Sequence, residues 1–312
     1  MVCGGVGASR FLQGLVQVLP AERITAIVNT ADDVDRHGLH VSPDIDSVVY
    51  RLAGLADDDR GWGLAGETWR ALEMMRRYGE DAWFQLGDTD LGTHLWRSAR
   101  LRRGEPLSRV TAAQCSALGV GVRVLPMTDD RVTTRLRCEG LGELHMQEWF
   151  VRERCIPVVE SIRFEGVERA RPAAGVLEAV AGADALIVAP SNPVISVAPV
   201  LAVPGLREAL REIPAAVAVT PIVGGAAVRG PAAELLRGQG VDVSAAGVAG
   251  LYADLIQAMV FDQRDPEEAD AIAALGVRPV STDTMMVDAP AAARLAAATL
   301  VAAGVEFAGV HG

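Results

Sequence analysis

The sequence predicts an α/β chain: a three-layer parallel sheet with an inserted, mainly helical segment and a small antiparallel β segment. Three observations carry that expectation. Continuous apolar runs of strand length recur at Ile24–Asn29, Ala185–Ala189 and Ile213–Thr220, as strands covered on both faces require. Helical patterns separate them, which is the spacing of βα units. Loops rich in Gly, Asp, Ser and Asn follow these runs, so a Rossmann-like sheet should bind its ligand beyond the strand carboxyl ends.

In chain order, Met1–Cys3 is a first strand, short enough to read as one whose start is clipped. Gly4, Gly5 and Gly7 form a tight loop before a helix over Ser9–Val18, and Ile24–Asn29 completes a βαβ unit. Ser42 and Pro43 are an N-cap and first-turn pair for a helix that buries Ile45, Val48, Val49 and Leu52. Further helices are expected over Gly66–Tyr78, Leu91–Arg102 and Val110–Leu118, then a strand over Val120–Met127. Alternation at Thr133–Cys138 and Leu144–Phe150 predicts an antiparallel pair, with Ile162–Phe164 as an edge. A helix over Pro172–Ala181 precedes the strands Ala185–Ala189 and Ile213–Thr220. Short strands at Val241–Val243 and Val277–Val280, with helices over Ala246–Met259 and Pro266–Leu275, continue the pattern. The Ala-rich stretch Ala289–Ala303 is a strong helix former. The expected division is a core of residues 1–50 and 110–312, with the small β segment near 133–164 and an insert at 51–109.

Composition narrows the chemistry. Half the residues are apolar and 22% are charged, which a packed core can accommodate and a disordered chain would not show. A formal charge of −11 argues against binding nucleic acid through its phosphates. All 29 basic residues are arginines, which removes a P-loop lysine and a Lys Schiff base from consideration. Cys3, Cys115, Cys138 and Cys155 form no CxxC, so reduced thiols in a cytoplasmic protein are expected. No signal peptide is visible, and Ala185–Ala189, ended by Pro190, is too short to span a membrane.

The loops carry the candidate site. Gly4, Gly5 and Gly7 let a phosphate approach free amides at a helix start; the same pattern also serves a packing turn. It is neither GxGxxG nor a P-loop, and no acid ends the second strand to hold a ribose. Asp44, helped by Asp33 or Asp46, can hold Mg²⁺ against a diphosphate, whereas acids in a first helical turn also stabilise the helix. Asp88 and Asp90 lie in a second acidic loop with His94 four residues on; they either orient an acceptor hydroxyl or cap a helix. Arg97 and Arg100 are phosphate candidates or a solvated basic face, and His37 and His40 make no convincing metal pair. Ser191, Asn192 and Pro193 follow one strand; Gly224, Gly225 and Arg229 follow the next, where Arg229 can clamp a phosphate. No covalent nucleophile stands out, so attack of a bound hydroxyl on an activated phosphate fits best.

The ensemble GGVGASRFLQG, VNTADD, GLHVSPDIDSVVY, FQLGDTDLGTH, APSNPVIS and TPIVGGAAVRGPAAE resembles the 2-phospho-L-lactate transferase and phosphoenolpyruvate transferase family of coenzyme F420 biosynthesis, from Gly4 to about Ala303. The resemblance implies a Mg²⁺-dependent transfer from a guanosine-diphosphate-linked donor to the terminal ribityl hydroxyl of the deazaflavin Fo, releasing GMP. It implies Asp44 and Asp33 at the metal, with Asp46 nearby, and Asp44, Asp33 and Asp88 as the catalytic set. Gly5, Gly7, Arg10, Ser191, Asn192, Gly224 and Arg229 belong to the nucleotide-phosphate side, with Arg10 where some relatives have Lys. Asp46, Asp88, Asp90 and His94 would lie near the acceptor, the insert would help build its pocket, and family members commonly form homodimers. Two other readings share the phosphate loops: a different GTP- or sugar-nucleotide-dependent transferase, and a non-catalytic GDP-binding regulatory protein.

Overall fold

The structure, a computed structural model, describes residues 1–307. It begins with β1 (Val2–Cys3), α1 (Gly5–Val18) and β2 (Thr25–Val28). A hairpin of β3 (Val34–Arg36) and β4 (Leu39–Val41) leads into α2 (Pro43–Leu52), α3 (Arg70–Arg77), α4 (Asp90–Leu101) and α5 (Leu107–Ala117). After β5 (Arg123–Pro126), the strands β6 (Thr133–Cys138), β7 (Gly142–His145) and β8 (Val159–Glu165) form a separate antiparallel sheet with β6 in the middle. The chain returns through α6 (Val176–Ala181), β9 (Leu186–Val188), α7 (Ala198–Ala202), α8 (Leu206–Arg211) and β10 (Ala216–Val219). A two-stranded hairpin, β11 (Ile222–Val223) and β12 (Ala226–Ala227), precedes α9 (Ala232–Gly238) and α10 (Ala245–Tyr252). The last elements are β13 (Ala258–Asp262), α11 (Glu268–Ala274), β14 (Arg278–Thr282) and α12 (Ala289–Ala302).

Seven strands make the main sheet in the order β14-β13-β10-β9-β1-β2-β5, and every neighbouring pair is parallel. Side chains alternate between two cores. Val2, Ala216 and Ala218 join one, while Cys3, Val217 and Val219 join the other, so both faces are covered and the predicted three layers form. The sheet grows outward in opposite directions from β1 and β9. That neighbouring pair is the topological switch, where the loops leaving the strands diverge and open a crevice.

Three expectations change. The helix predicted over Ala246–Met259 ends at Tyr252, and Ala258–Asp262 is a fully buried strand between β10 and β14. A continuous apolar run has no period that separates a buried strand from a buried helix. Val241–Val243 is loop instead of strand, and Leu144–Phe150 leaves the strand conformation at His145 to form a π-helical turn over Glu148–Arg152. The hairpin at 34–41 was not anticipated; His37 and Gly38 both take positive φ, 50° and 74°, as a tight two-residue connection requires. None of the seven main-sheet strands falls within residues 51–109.

Gly14 shows how tightly the outer layer is built. It lies where α1 meets α12, and an added Cβ would overlap the backbone carbonyl of Ala292. Gly14→Ala is therefore expected to destabilise the protein by about 1–3 kcal/mol, although alanine is intrinsically the better helix former. A lowered urea midpoint checks this. Trimming Ala292 to glycine should not rescue it, because the obstructing atoms are main chain.

Candidate active site

The site begins at the switch. Gly4 ends β1 with extended backbone, and Gly5 takes φ +73° as α1 starts. An added Cβ on Gly4 would overlap the Asp44 carboxylate, and one on Gly7 would overlap the Pro190 carbonyl. These glycines are small because neighbouring loops press on them. The α1 amides that open here have no intrahelical acceptors and present partial positive charge. From the loop after β9, the Ser191 hydroxyl donates to the Gly4 carbonyl at 2.9 Å and accepts from the Gly4 amide at 3.2 Å. Asn192 Oδ1 accepts from Val194 and Ile195 amides at 3.0 and 3.3 Å, capping the next turn. Its Nδ2 is buried without a partner, a donor left for something outside the chain.

The carboxylates stand beside this loop. Asn29, fully buried at the end of β2, donates from Nδ2 to Asp44 Oδ2 at 3.0 Å, Asp32 Oδ2 at 3.2 Å and the Ile195 carbonyl at 3.2 Å. Its Oδ1 accepts from the Ala31 amide at 2.9 Å. One amide therefore ties the second-strand loop to the first turn of α2 and to the turn after β9. Asp33 Oδ2 is held by Ser42 Oγ at 2.7 Å and His40 Nε2 at 2.9 Å. Burial opposes charge on His40, but the hydrogen bond and charge of Asp33 outweigh it and raise its pKa. Burial pushes Asp44 up to about 7; repulsion from Asp33 adds to this, while hydrogen bonds from Asn29 and Gly5 work against it. Burial and then the Asp44 charge push Asp32 well above the usual carboxylate range.

The donor set suits a hard cation. Asp32 Oδ1 and Asp33 Oδ1 are buried and unpartnered, and the three neighbouring acids repel one another. Among the described residues no three His, Cys, Asp or Glu side chains converge as a complete metal cage. Asp33 and Asp44 are the residues that could hold such a cation, since a hard divalent ion can be bound by one or two carboxylates with water and substrate phosphates completing its shell.

The remaining candidates separate into three groups. Asp46 lies two residues beyond Asp44 but points into the protein, where Arg97 grips both its oxygens, at 2.9 Å from Nη1 to Oδ2 and through Nη2 to Oδ1. Gln114 also donates to Asp46 at 3.3 Å. Arg97 is fully buried, so it is neither a solvated basic face nor a phosphate ligand; Arg100 pairs with Glu105 at 2.9 Å. The Tyr50 hydroxyl donates to Asp90 at 2.6 Å, and His94, 1% exposed, sits between the two acids. Its Nε2 is 3.2 Å from Asp90 without hydrogen-bond alignment. Asp46, Asp90 and His94 thus brace α2 against α4 from inside.

Asp88 caps a helix. Its oxygens accept from the Arg70 and Ala71 amides at 3.0 Å each and from the Thr68 hydroxyl, at the start of α3. Glu67 answers from the α3 side, accepting from the Thr89 and Asp90 amides at 2.9 and 2.7 Å at the start of α4. Gly87 is glycine because the Glu67 carboxylate fills the space of a Cβ. In the loop after β10, the Gly224 amide donates to the Asp265 carboxylate at 2.9 Å, and its φ of +60° shapes the β11–β12 turn. Arg10 Nη1 donates to the Met286 carbonyl at 3.1 Å. Arg229 is exposed, with its guanidinium against Gly61.

The structure therefore gathers Gly5, Gly7, Ser191, Asn192, Asp33 and Asp44 into one crevice. Sequence reasoning overlooked Asn29 as its organiser. The available signal was an amide at the end of a buried strand, immediately before TADD.

Comparison with known proteins shows the family. Residues 1–300 match the family described as 2-phospho-L-lactate transferase CofD. A phosphoenolpyruvate transferase of Kitasatospora aureofaciens is 44% identical over 97% of this chain and 96% of its own. A 2-phospho-L-lactate transferase of Methanococcoides burtonii is 38% identical over 91% of this chain and 92% of its own. A Bacillus halodurans protein of the UPF0052 family shares the fold, with a TM-score of 0.62, 19% identity and coverage of 96% of this chain and 97% of that one. Among the described residues no helix is long and apolar enough to cross a membrane. The chain belongs to the 2-phospho-L-lactate transferase CofD family of transferases.

Proposed function

We propose that the protein moves a phosphoenolpyruvyl or 2-phospho-L-lactyl group from a guanosine-diphosphate-linked donor to the terminal ribityl hydroxyl of Fo. GMP leaves, and the product is coenzyme F420-0 or its dehydro form. The observation that carries this reading is the convergence of the α1 start, Ser191 and Asn192 with the buried Asp33 and Asp44 at one switch crevice. The family and the names of the relatives support the reaction class.

In this reading the open amides of α1 and the unpaired Asn192 amide receive donor phosphate oxygens. Asp33 and Asp44 hold Mg²⁺, which supplies neutralisation of phosphate charge when bound. Asn29, Ser42 and His40 fix the two carboxylates in place, so little reorganisation accompanies charge movement. The acceptor oxygen forms a bond to the phosphorus that bears the organic acid, the bond from that phosphorus to the GMP oxygen breaks, and the hydroxyl proton passes to solvent water. Asp88, engaged as a helix cap, supports the wall of the site in place of taking that proton. The enzyme works in the cytoplasm as a homodimer.

Purified protein incubated with Fo, Mg²⁺ and each guanylyl donor in turn is expected to give a product with the mass of an Fo phosphodiester, plus GMP. Absence of any such product with either donor would reject the proposal. The ratio of rates between donors identifies the group transferred.

A further inference from the structure

The loop that carries Asp32 and Asp33 is held by the small antiparallel sheet as well as by Asn29. Successive main-chain carbonyls accept hydrogen bonds from that sheet and from the turn after β7. The Ala31 carbonyl accepts from the Thr134 amide at 2.7 Å, the Asp32 carbonyl from Gln147 Nε2 at 3.4 Å, and the Asp33 carbonyl from His145 Nε2 at 3.2 Å. Thr134 and Gln147 are buried, and His145 nearly so. Both ring nitrogens of His145 are engaged. Nδ1 accepts from the Gln147 amide at 3.0 Å, which assigns the ring proton to Nε2, against Asp33. The turn itself is anchored: the His145 amide donates to Glu148 at 2.9 Å, and the buried Trp149 donates from Nε1 to the Pro157 carbonyl at 2.9 Å.

These contacts fix Asp33 from both sides. Its φ depends on the peptide plane shared with Asp32, whose carbonyl Gln147 holds. Its ψ depends on the plane shared with Val34, where His145 holds the Asp33 carbonyl. With both planes set, the direction of the side chain follows. Ser42 and His40 then hold Oδ2, and Oδ1 stays buried and unpartnered. One oxygen is left open while the rest of the residue is tied down.

We infer that His145 and Gln147 are positioning residues for the transfer, holding the peptide planes on either side of Asp33 so that its open oxygen is fixed for the cation. The inference rests on the transfer reading above, in which Asp33 and Asp44 hold Mg²⁺. Partners of this kind, one step removed from a metal, carry about 10–100-fold in affinity or activity.

Two substitutions separate positioning from simple capping of the turn. Asparagine keeps an acceptor where Nδ1 stands but has no atom that reaches Asp33; glutamine keeps a donor at the reach of Nε2 and gives up the Nδ1 position. Mg²⁺ alone is titrated calorimetrically at about pH 8, above the Asp44 pKa of about 7, with circular dichroism as the control for folding. His145→Asn is expected to weaken Mg²⁺ about tenfold or more, and His145→Gln to stay within about threefold of wild type. In transfer assays His145→Asn should lower kcat and leave KM for Fo unchanged. Arg163→Gln, which removes an exposed pair with Glu143 on the same small sheet, should leave Mg²⁺ affinity as it is. Should His145→Asn fail to fold, Gln147→Leu removes the donor to Asp32 and is expected to weaken Mg²⁺ at least about threefold. Unchanged affinity in folded His145→Asn or Gln147→Leu overturns the inference. So does a loss in His145→Gln as large as that in His145→Asn, or a wild type that does not bind Mg²⁺. A wild type that binds Mg²⁺ but makes no Fo phosphodiester rejects the transfer reading, and the order of the variants in Mg²⁺ affinity still decides the positioning role.

Discussion

Asp44→Asn is expected to fold normally and to lose at least about tenfold in transfer rate, roughly 1.4 kcal/mol or more at the transition state. The amide is nearly the same shape as the carboxylate, and removing a charge from among Asp32, Asp33 and Asp44 relieves repulsion. What it cannot do is serve every partner. Asp44 accepts from Asn29 and from the Gly5 amide, whereas asparagine brings one oxygen and one donor group to the same space. Initial rates at saturating Mg²⁺, with circular dichroism as the control for folding, check the result. Undiminished turnover would remove Asp44 from the mechanism.

The same carboxylate sets a pH dependence whose sign can be worked out. Mg²⁺ binds the ionised form, so protons compete with it below the Asp44 pKa of about 7. Apparent metal affinity should fall roughly tenfold per pH unit on the acid side and level off above neutrality. Metal-free stability runs the other way. The folded pKa lies above the unfolded value, so folding takes up a proton, and stability falls as pH rises through the interval between the two. Calorimetric titration at about pH 5.5 and about pH 8 tests the first trend, and Asp44→Asn should flatten both.

Arg97→Ala should be among the most destabilising single substitutions in the chain, at about 3–5 kcal/mol. Arg97 is fully buried, and its loss leaves the buried Asp46 carboxylate without its main partner, with Gln114 as the remaining side-chain hydrogen-bond donor. The urea midpoint measures the effect. Adding Asp46→Ala to the same chain should recover a substantial part of the loss, because the stranded charge goes with it. A double variant no more stable than the single would show that the cost comes from lost packing instead. Surviving Arg97→Ala protein should also be slow in transfer, since Asp46 anchors the turn of α2 that presents Asp44.

The parallel sheet and the crevice were legible because both are written locally. Buried strands are continuous apolar runs, and Gly4–Gly7 and Ser191–Asn192 follow directly from two of them. The fate of each carboxylate was not, because Asp33, Asp44, Asp46, Asp88 and Asp90 look alike in sequence. Their partners distinguish them. Asp46 faces an arginine 51 residues away, Asp88 meets the α3 amides 17 and 18 residues back, and Asp33 keeps a free oxygen. The strand at Ala258–Asp262 was hidden for a different reason: its apolar run, Ala258–Phe261, is too short to show a period of its own, so the helical pattern before it carries on to Met259.

The exchanged carboxylates of Asp88 and Glu67 have one further implication. Each helix of the insert is begun by an acid belonging to the other's approach, so neither start is satisfied while the other is frayed. The exchanged caps couple the two helices: loosening either start frees amide donors at the other.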